Sequence, residues 1–139
     1  MMKRIFIVIG LTLLLISSVS AYENLTLPED YHIVNESDNF TILQSDDYHT
    51  ISICRMDNDT DRDLLKYLLE KSMYDFTYSS NYTKGDFDIE ENHYNQEYQR
   101  GILYLCNNGD ELIVIDYKVP VIEEIEDSPV GVILDGLSG

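Results

Sequence analysis

Gln99-Arg100-Gly101-Ile102-Leu103-Tyr104-Leu105-Cys106-Asn107-Asn108-Gly109-Asp110-Glu111-Leu112-Ile113-Val114-Ile115-Asp116-Tyr117-Lys118-Val119 holds two apolar runs, 99–106 and 111–119, on either side of a polar tetrad. Asn-Gly suits a tight hairpin, because both central residues of such a turn need positive φ. The two runs are therefore predicted to pair as antiparallel strands. Leu112 to Ile115 is apolar at every position, so the second strand is expected to be central and covered on both faces. Asp116 interrupts that run, and alternation places it with Leu112 and Val114. A buried carboxylate with a raised pKa is what a general acid needs. A hydrogen-bonded Asp near a strand end is the ordinary alternative.

Working outward, Tyr31–Val34, Asn39–Leu43 and His49–Met56 read as short strands, the last two joined across Ser45-Asp46-Asp47. Tyr74–Tyr78 and Asp86–Glu90 alternate in the same way. Residues 60–73 are predicted to be a helix, with Thr60-Asp61-Arg62-Asp63 as a capping box and acids at its positive end. Its apolar face is traced through Leu65, Leu68, Leu69, Ser72 and Phe76. Residues 128–138 form a second helix, with Ser128 as N-cap, Pro129 in the first turn and the stripe Val130, Ile133, Leu134, Leu137. The order β-β-β-α-β-β-β-β-α predicts an α+β fold. It is a mainly antiparallel sheet of about five to seven strands, with both helices on one face.

The chain has 139 residues, with 26 Asp+Glu against 9 Lys+Arg and a net charge of −17. Met1-Met2-Lys3-Arg4, an apolar run from Ile5 and the small residues up to Ala21 match a secretory signal peptide, with cleavage between Ala21 and Tyr22. The apolar core of about 15 residues is short of the roughly 20 that span a bilayer, which disfavours the rival reading of an uncleaved anchor. The expected organisation is a signal peptide over 1–21 and one acidic domain over 22–139. Losing Lys3 and Arg4 leaves 118 residues, seven of them basic and 26 acidic, a net charge of −19. Ile, Leu, Val and Phe make up 32 of those residues, enough for a folded core. So strong a negative charge repels phosphate backbones and anionic lipid, so neither nucleic acid nor a membrane surface is an expected partner after cleavage.

Two features fit a secreted or cell-surface address. Cys54 and Cys106 are the only cysteines, and an even count in an exported chain points to a disulfide. Closing about 50 residues of chain would stabilise the fold by roughly 4 kcal/mol on the loop-entropy model; two small buried thiols are the alternative. Asn24, Asn35, Asn39, Asn58 and Asn81 each open an Asn-x-Ser/Thr sequon, which makes them glycosylation candidates.

Chemistry-bearing patterns are sparse. Asp57, Asp59 and Asp61 resemble the opening of a calcium loop and are the metal candidates. The Gly and Glu such a loop needs at its sixth and twelfth positions are here Arg62 and Leu68. His32, His49 and His93 have no neighbour at ligand spacing. Asp86, Asp88, Glu90 and Glu91 would offer Asp116 a second carboxylate for glycosidase-type work, but acids this abundant pair by chance. No nucleophile elbow, phosphate-cradling glycine loop or His-Glu-x-x-His helix occurs in the sequence, and no catalytic residue or cofactor is assigned. Eleven tyrosines are present, and Tyr74, Tyr78 and Tyr82 come nearest to a row that presents a binding face.

Asn39-Phe40-Thr41-Ile42, Tyr82-Thr83-Lys84-Gly85-Asp86-Phe87, Gly101-Ile102-Leu103-Tyr104-Leu105, Lys118-Val119-Pro120 and Asp127-Ser128-Pro129 carry a resemblance to small exported proteins of methanogenic archaea. It covers most of the chain beyond the signal and brings no motif tied to chemistry. The element order is also similar to the photosystem oxygen-evolving accessory (PsbP-like) and Mog1-like α/β/α sandwiches, a likeness of layout only. The expected function is a non-catalytic exported domain that works by contact with a surface protein or a basic partner. The alternatives are a small ligand- or Ca²⁺-binding exported module and, third, a small hydrolase.

Overall fold

A computed structural model describes residues 25–138; the expected signal peptide, its cleavage site at Ala21 and Tyr22, and Asn24 lie outside the described residues. Seven strands form one antiparallel sheet: β1 (Tyr31–Glu36), β2 (Phe40–Ser45), β3 (Thr50–Asp57), β4 (Asp75–Lys84), β5 (Phe87–Asn95), β6 (Gln99–Asn107) and β7 (Glu111–Pro120). Their spatial order is β1-β2-β3-β7-β6-β5-β4. The predicted strand pair across Asn107–Asp110 forms, with Cys106 opposite Ile113, but the turn differs: Gly109 has positive φ, 94°, and Asn108 does not. The chain leaves β3 through helix α1 (Arg62–Lys71), crosses to the far edge at β4, and returns strand by strand until β7 pairs with β3. Helix α2 (Val130–Ser138) follows.

The two helices lie on opposite faces of the sheet, which corrects the expectation of one face. On one face Ile102, Tyr104, Ile113, Ile115, Tyr117 and Val119 pack with Val130, Ile133 and Leu134 of α2. On the other, Leu103, Leu105, Leu112 and Val114 lie beneath Leu65 and Leu69 of α1. The physical reason is in β7 itself. Its run from Leu112 to Ile115, apolar at every position, sends side chains both ways, and each set needs its own cover.

Local details also differ from the sequence reading. Asp61, not Thr60, caps α1, its carboxylate accepting from the backbone N–H groups of Asp63 and Leu64. Leu68 is 53% exposed and Leu64 52%, so the seam against the sheet is Leu65 and Leu69, four residues apart, without Leu68. Strands β4 and β5 run on to Lys84 and Asn95 and form one long hairpin about Gly85-Asp86, with Gly85 at φ 61°. Ser128 does act as a cap: its hydroxyl accepts from the Val130 N–H.

Cys54 and Cys106 do not form the expected disulfide; both are free thiols. Cys54 lies opposite Val114 on the α1 face, whereas Cys106 is opposite Ile113 on the α2 face. Strand β7 runs between them, so they sit two strand spacings apart, roughly 9.5 Å. Their side chains point away from each other, and a disulfide needs Cα atoms within about 7 Å and converging Cβ vectors. Burial pushes the Cys106 thiol up to about 12 and raises Cys54 as well, so neither is an activated nucleophile.

Candidate functional site

Two places combine polar chemistry with a defined setting: a carboxylate network under α1, and the outer edge of β4.

Asp116 sits on the α1 face of β7, as alternation predicted, opposite Ser52 on one side and Leu103 on the other. Tyr74 donates its hydroxyl to Oδ2 at 2.6 Å, and Tyr94 donates to Oδ1 at 2.5 Å. Lys118 Nζ lies 3.9 Å from Oδ2 and 4.8 Å from the Tyr74 ring centroid. The Tyr74 and Tyr94 rings meet at a tilt of 39°, with centroids 4.5 Å apart. Burial raises the Asp116 pKa, opposed by the two hydrogen bonds and by the Lys118 charge. Burial likewise raises both tyrosines, and the neighbouring carboxylate adds to it.

Each carboxylate oxygen is thus held by a tyrosine, and the Asp116 side chain is 14% exposed. A general acid must offer its proton to a substrate oxygen within hydrogen-bond reach. Here both oxygens are already engaged, and the network ties the start of β4 to β5 and β7. Asp116 and Tyr74 were visible in sequence; Tyr94 was missed. Its signal was Gly101, its cross-strand partner. A Cβ on Gly101 would collide with the Tyr94 hydroxyl and the Tyr117 carbonyl, so the glycine makes room for the ring that crosses it.

Strand β4 is an edge: among the described residues only β5 pairs with it. From Phe76 to Thr83 it carries no charge, in a chain where 25% of residues are charged. Tyr78 is 61% and Tyr82 37% exposed, both on the α2 face, opposite His93 and Ile89. Burial, and then the nearby Glu91, raise the Tyr82 hydroxyl to about 12, so it stays a neutral donor. An open cleft of about 330 Å³ runs between Arg62 and Asn81, Tyr82 and Thr83 of this strand. The other edge, β1, is six residues long, has a bulge between Ile33 and Asn35, and ends in Glu36. Of the expected tyrosine row, Tyr78 and Tyr82 stand together on this edge, while Tyr74 belongs to the carboxylate network.

The remaining candidates are dispersed. Asp61 is occupied as the helix cap, and Asp57 ends β3 opposite Glu111. Among the described residues no group of three or more His, Cys, Asp or Glu is arranged to hold a metal. His49 pairs with Glu123 at 2.7 Å and His93 with Glu91 at 3.5 Å. Asn35, Asn39, Asn58 and Asn81 are all exposed. Comparison with family models, curated proteins and solved structures finds no match to this chain.

Proposed function

We propose that this chain is an exported, non-catalytic domain that acts by protein contact at the cell surface, offering the outer edge of β4 to its partner. The observation that carries the reading is the uncharged edge from Phe76 to Thr83 with Tyr78 and Tyr82 exposed beside it. An edge strand presents a row of unpaired N–H and C=O groups that templates another strand, and folded proteins usually blunt it with charge, proline or short length. No charge or proline stands between Phe76 and Thr83, and the one irregularity of this ten-residue strand is a bulge between Phe76 and Tyr78, whereas β1 is shorter, also bulged, and acidic at its end. Tyrosine is enriched at protein interfaces, where its ring is buried and its hydroxyl keeps a polar partner. The leader and the sequons put this contact outside the cell, and the two tyrosines on Asp116 favour a structural carboxylate over a catalytic one.

A photo-reactive benzophenone amino acid at position 78, in the chain produced by its native host, tests the reading. It is expected to yield a protein adduct on irradiation, while the same group at Tyr98, 76% exposed and away from the edge, does not. No adduct at position 78 would refute the contact.

A further inference from the structure

Thr77-Tyr78-Ser79-Ser80-Asn81-Tyr82-Thr83 reads almost the same in both directions about Ser80, the only mismatch being Ser79 against Asn81. This near-palindrome lies on the uncharged edge strand. We infer that the partner of β4 is a second copy of the chain, paired antiparallel through β4 about a two-fold axis at Ser80. The inference rests on β4 being the contact edge.

The geometry allows one class of register. When two antiparallel strands continue a sheet, directly opposed residues share a face. A two-fold axis on a residue meets this condition; one between residues sets opposite faces together. With the axis at Ser80, Tyr78 lies opposite the partner's Tyr82 and Ser79 opposite the partner's Asn81, and the regular ladder ends at the bulge between Phe76 and Tyr78. Tyr78 and Tyr82 already share the α2 face, so each copy contributes one ring to each of two cross-strand aromatic pairs.

A two-fold contact must complement itself, and a palindromic strand does so position by position. Charge agrees: each copy carries −17, or −19 once the leader is cleaved, and the uncharged run keeps acids off the axis, where like charges would meet in the ladder. The product is one continuous sheet of twice seven strands. A glycan on Asn81 would stand one residue from the axis and exclude the second copy, so the paired form carries a bare Asn81.

Sedimentation of the full chain in 150 mM salt, with Ser80→Lys and Ser80→Cys variants, tests the pairing. The wild type is expected to dimerise with rising concentration, and Ser80→Lys to remain monomeric with an unchanged circular dichroism spectrum. In Ser80→Cys the axis brings the two introduced thiols to cross-strand distance, within disulfide reach. Mild oxidation should therefore give a covalent dimer that a Tyr98→Cys control does not give. A wild type that stays monomeric throughout, or a Ser80→Cys variant that cross-links no faster than the control, overturns the proposal. The benzophenone at position 78 separates the two readings. An adduct of twice the chain mass supports self-pairing; an adduct with a different protein overturns it and leaves the contact edge standing; no adduct removes both.

Discussion

The two faces of the sheet are held by different forces. Under α2 the helix buries apolar side chains, with Val130 and Ile133 fully buried against Ile113, Ile115 and Val119, and the buried polar residues of that face, Thr41 and Ser45, carry no charge. Under α1 no helix residue is fully buried, and the ground beneath it mixes leucines with Asp116, Asn92 and the Lys66–Glu90 ion pair. One face rests on area removed from water, which is insensitive to pH. The other rests partly on directed hydrogen bonds to a buried carboxylate, which titrates. The same strands supply both, so the difference comes from which alternate residues point each way.

The sharpest break between the faces is expected in side-chain truncation. Ile133→Ala on the α2 face should cost about 2–5 kcal/mol in urea unfolding, because the void it leaves is closed on all sides. Comparable losses for Leu69→Ala, a half-buried seam residue of α1, would erase the distinction.

Next in size is the network itself. Tyr94→Phe keeps the ring over Gly101 and removes one donor from Asp116, a loss of about 1.5–3 kcal/mol for a hydrogen bond to a charged group. Gly101→Ala should cost about 1–3 kcal/mol through overpacking against Tyr94 and the Tyr117 carbonyl. If Gly101→Ala is neutral, the ring does not cross the strand as described.

The pH response separates the faces more finely. Burial raises Asp116 above its ordinary 3.8, so over that window the folded chain holds a proton the unfolded chain has released. The contribution is therefore present at low pH and lost as pH rises through the folded value. Urea midpoints measured from pH 3 upward should show this decline in the wild type and lack it in Asp116→Asn, while Ile133→Ala retains it.

The smallest effects concern groups outside both cores. Leu64→Ala should stay within about 0.5 kcal/mol of wild type. The native chain should carry two thiols, with no loss of two hydrogens in its intact mass. Cys106 should resist iodoacetamide until the protein unfolds.

Much of this fold was legible because its signals are local. The strand pair around Asn108-Gly109, the doubly apolar run at 112–115 and the Ser128-Pro129 helix start each act over a few residues, though of the turn only Gly109 takes the positive φ expected of both residues. The β4–β5 hairpin was only half visible: Ser79, Ser80 and Asn81 are polar on both faces, since an edge strand under little cover needs no alternation. Leu68 was misassigned because Leu64, Leu65, Leu68 and Leu69 offer two overlapping stripes, and only docking on the sheet chooses between them. Tyr94 stayed hidden because Gly101, which makes room for its ring, shows that role only once β5 and β6 pair.

Sequence alone determined the acidic composition and, through side-chain alternation, periodicity and capping within a short window, the central strand pair and the presence of both helices. Tertiary structure alone decided that β7 returns to pair with β3, and three consequences follow from that closure. It puts a strand between the two cysteines, sends the helices to opposite faces, and leaves β4 as an open edge. Long-range pairing decides such features because a chain's local preferences say which residues form strands, whereas the burial of both faces of β7 selects their neighbours.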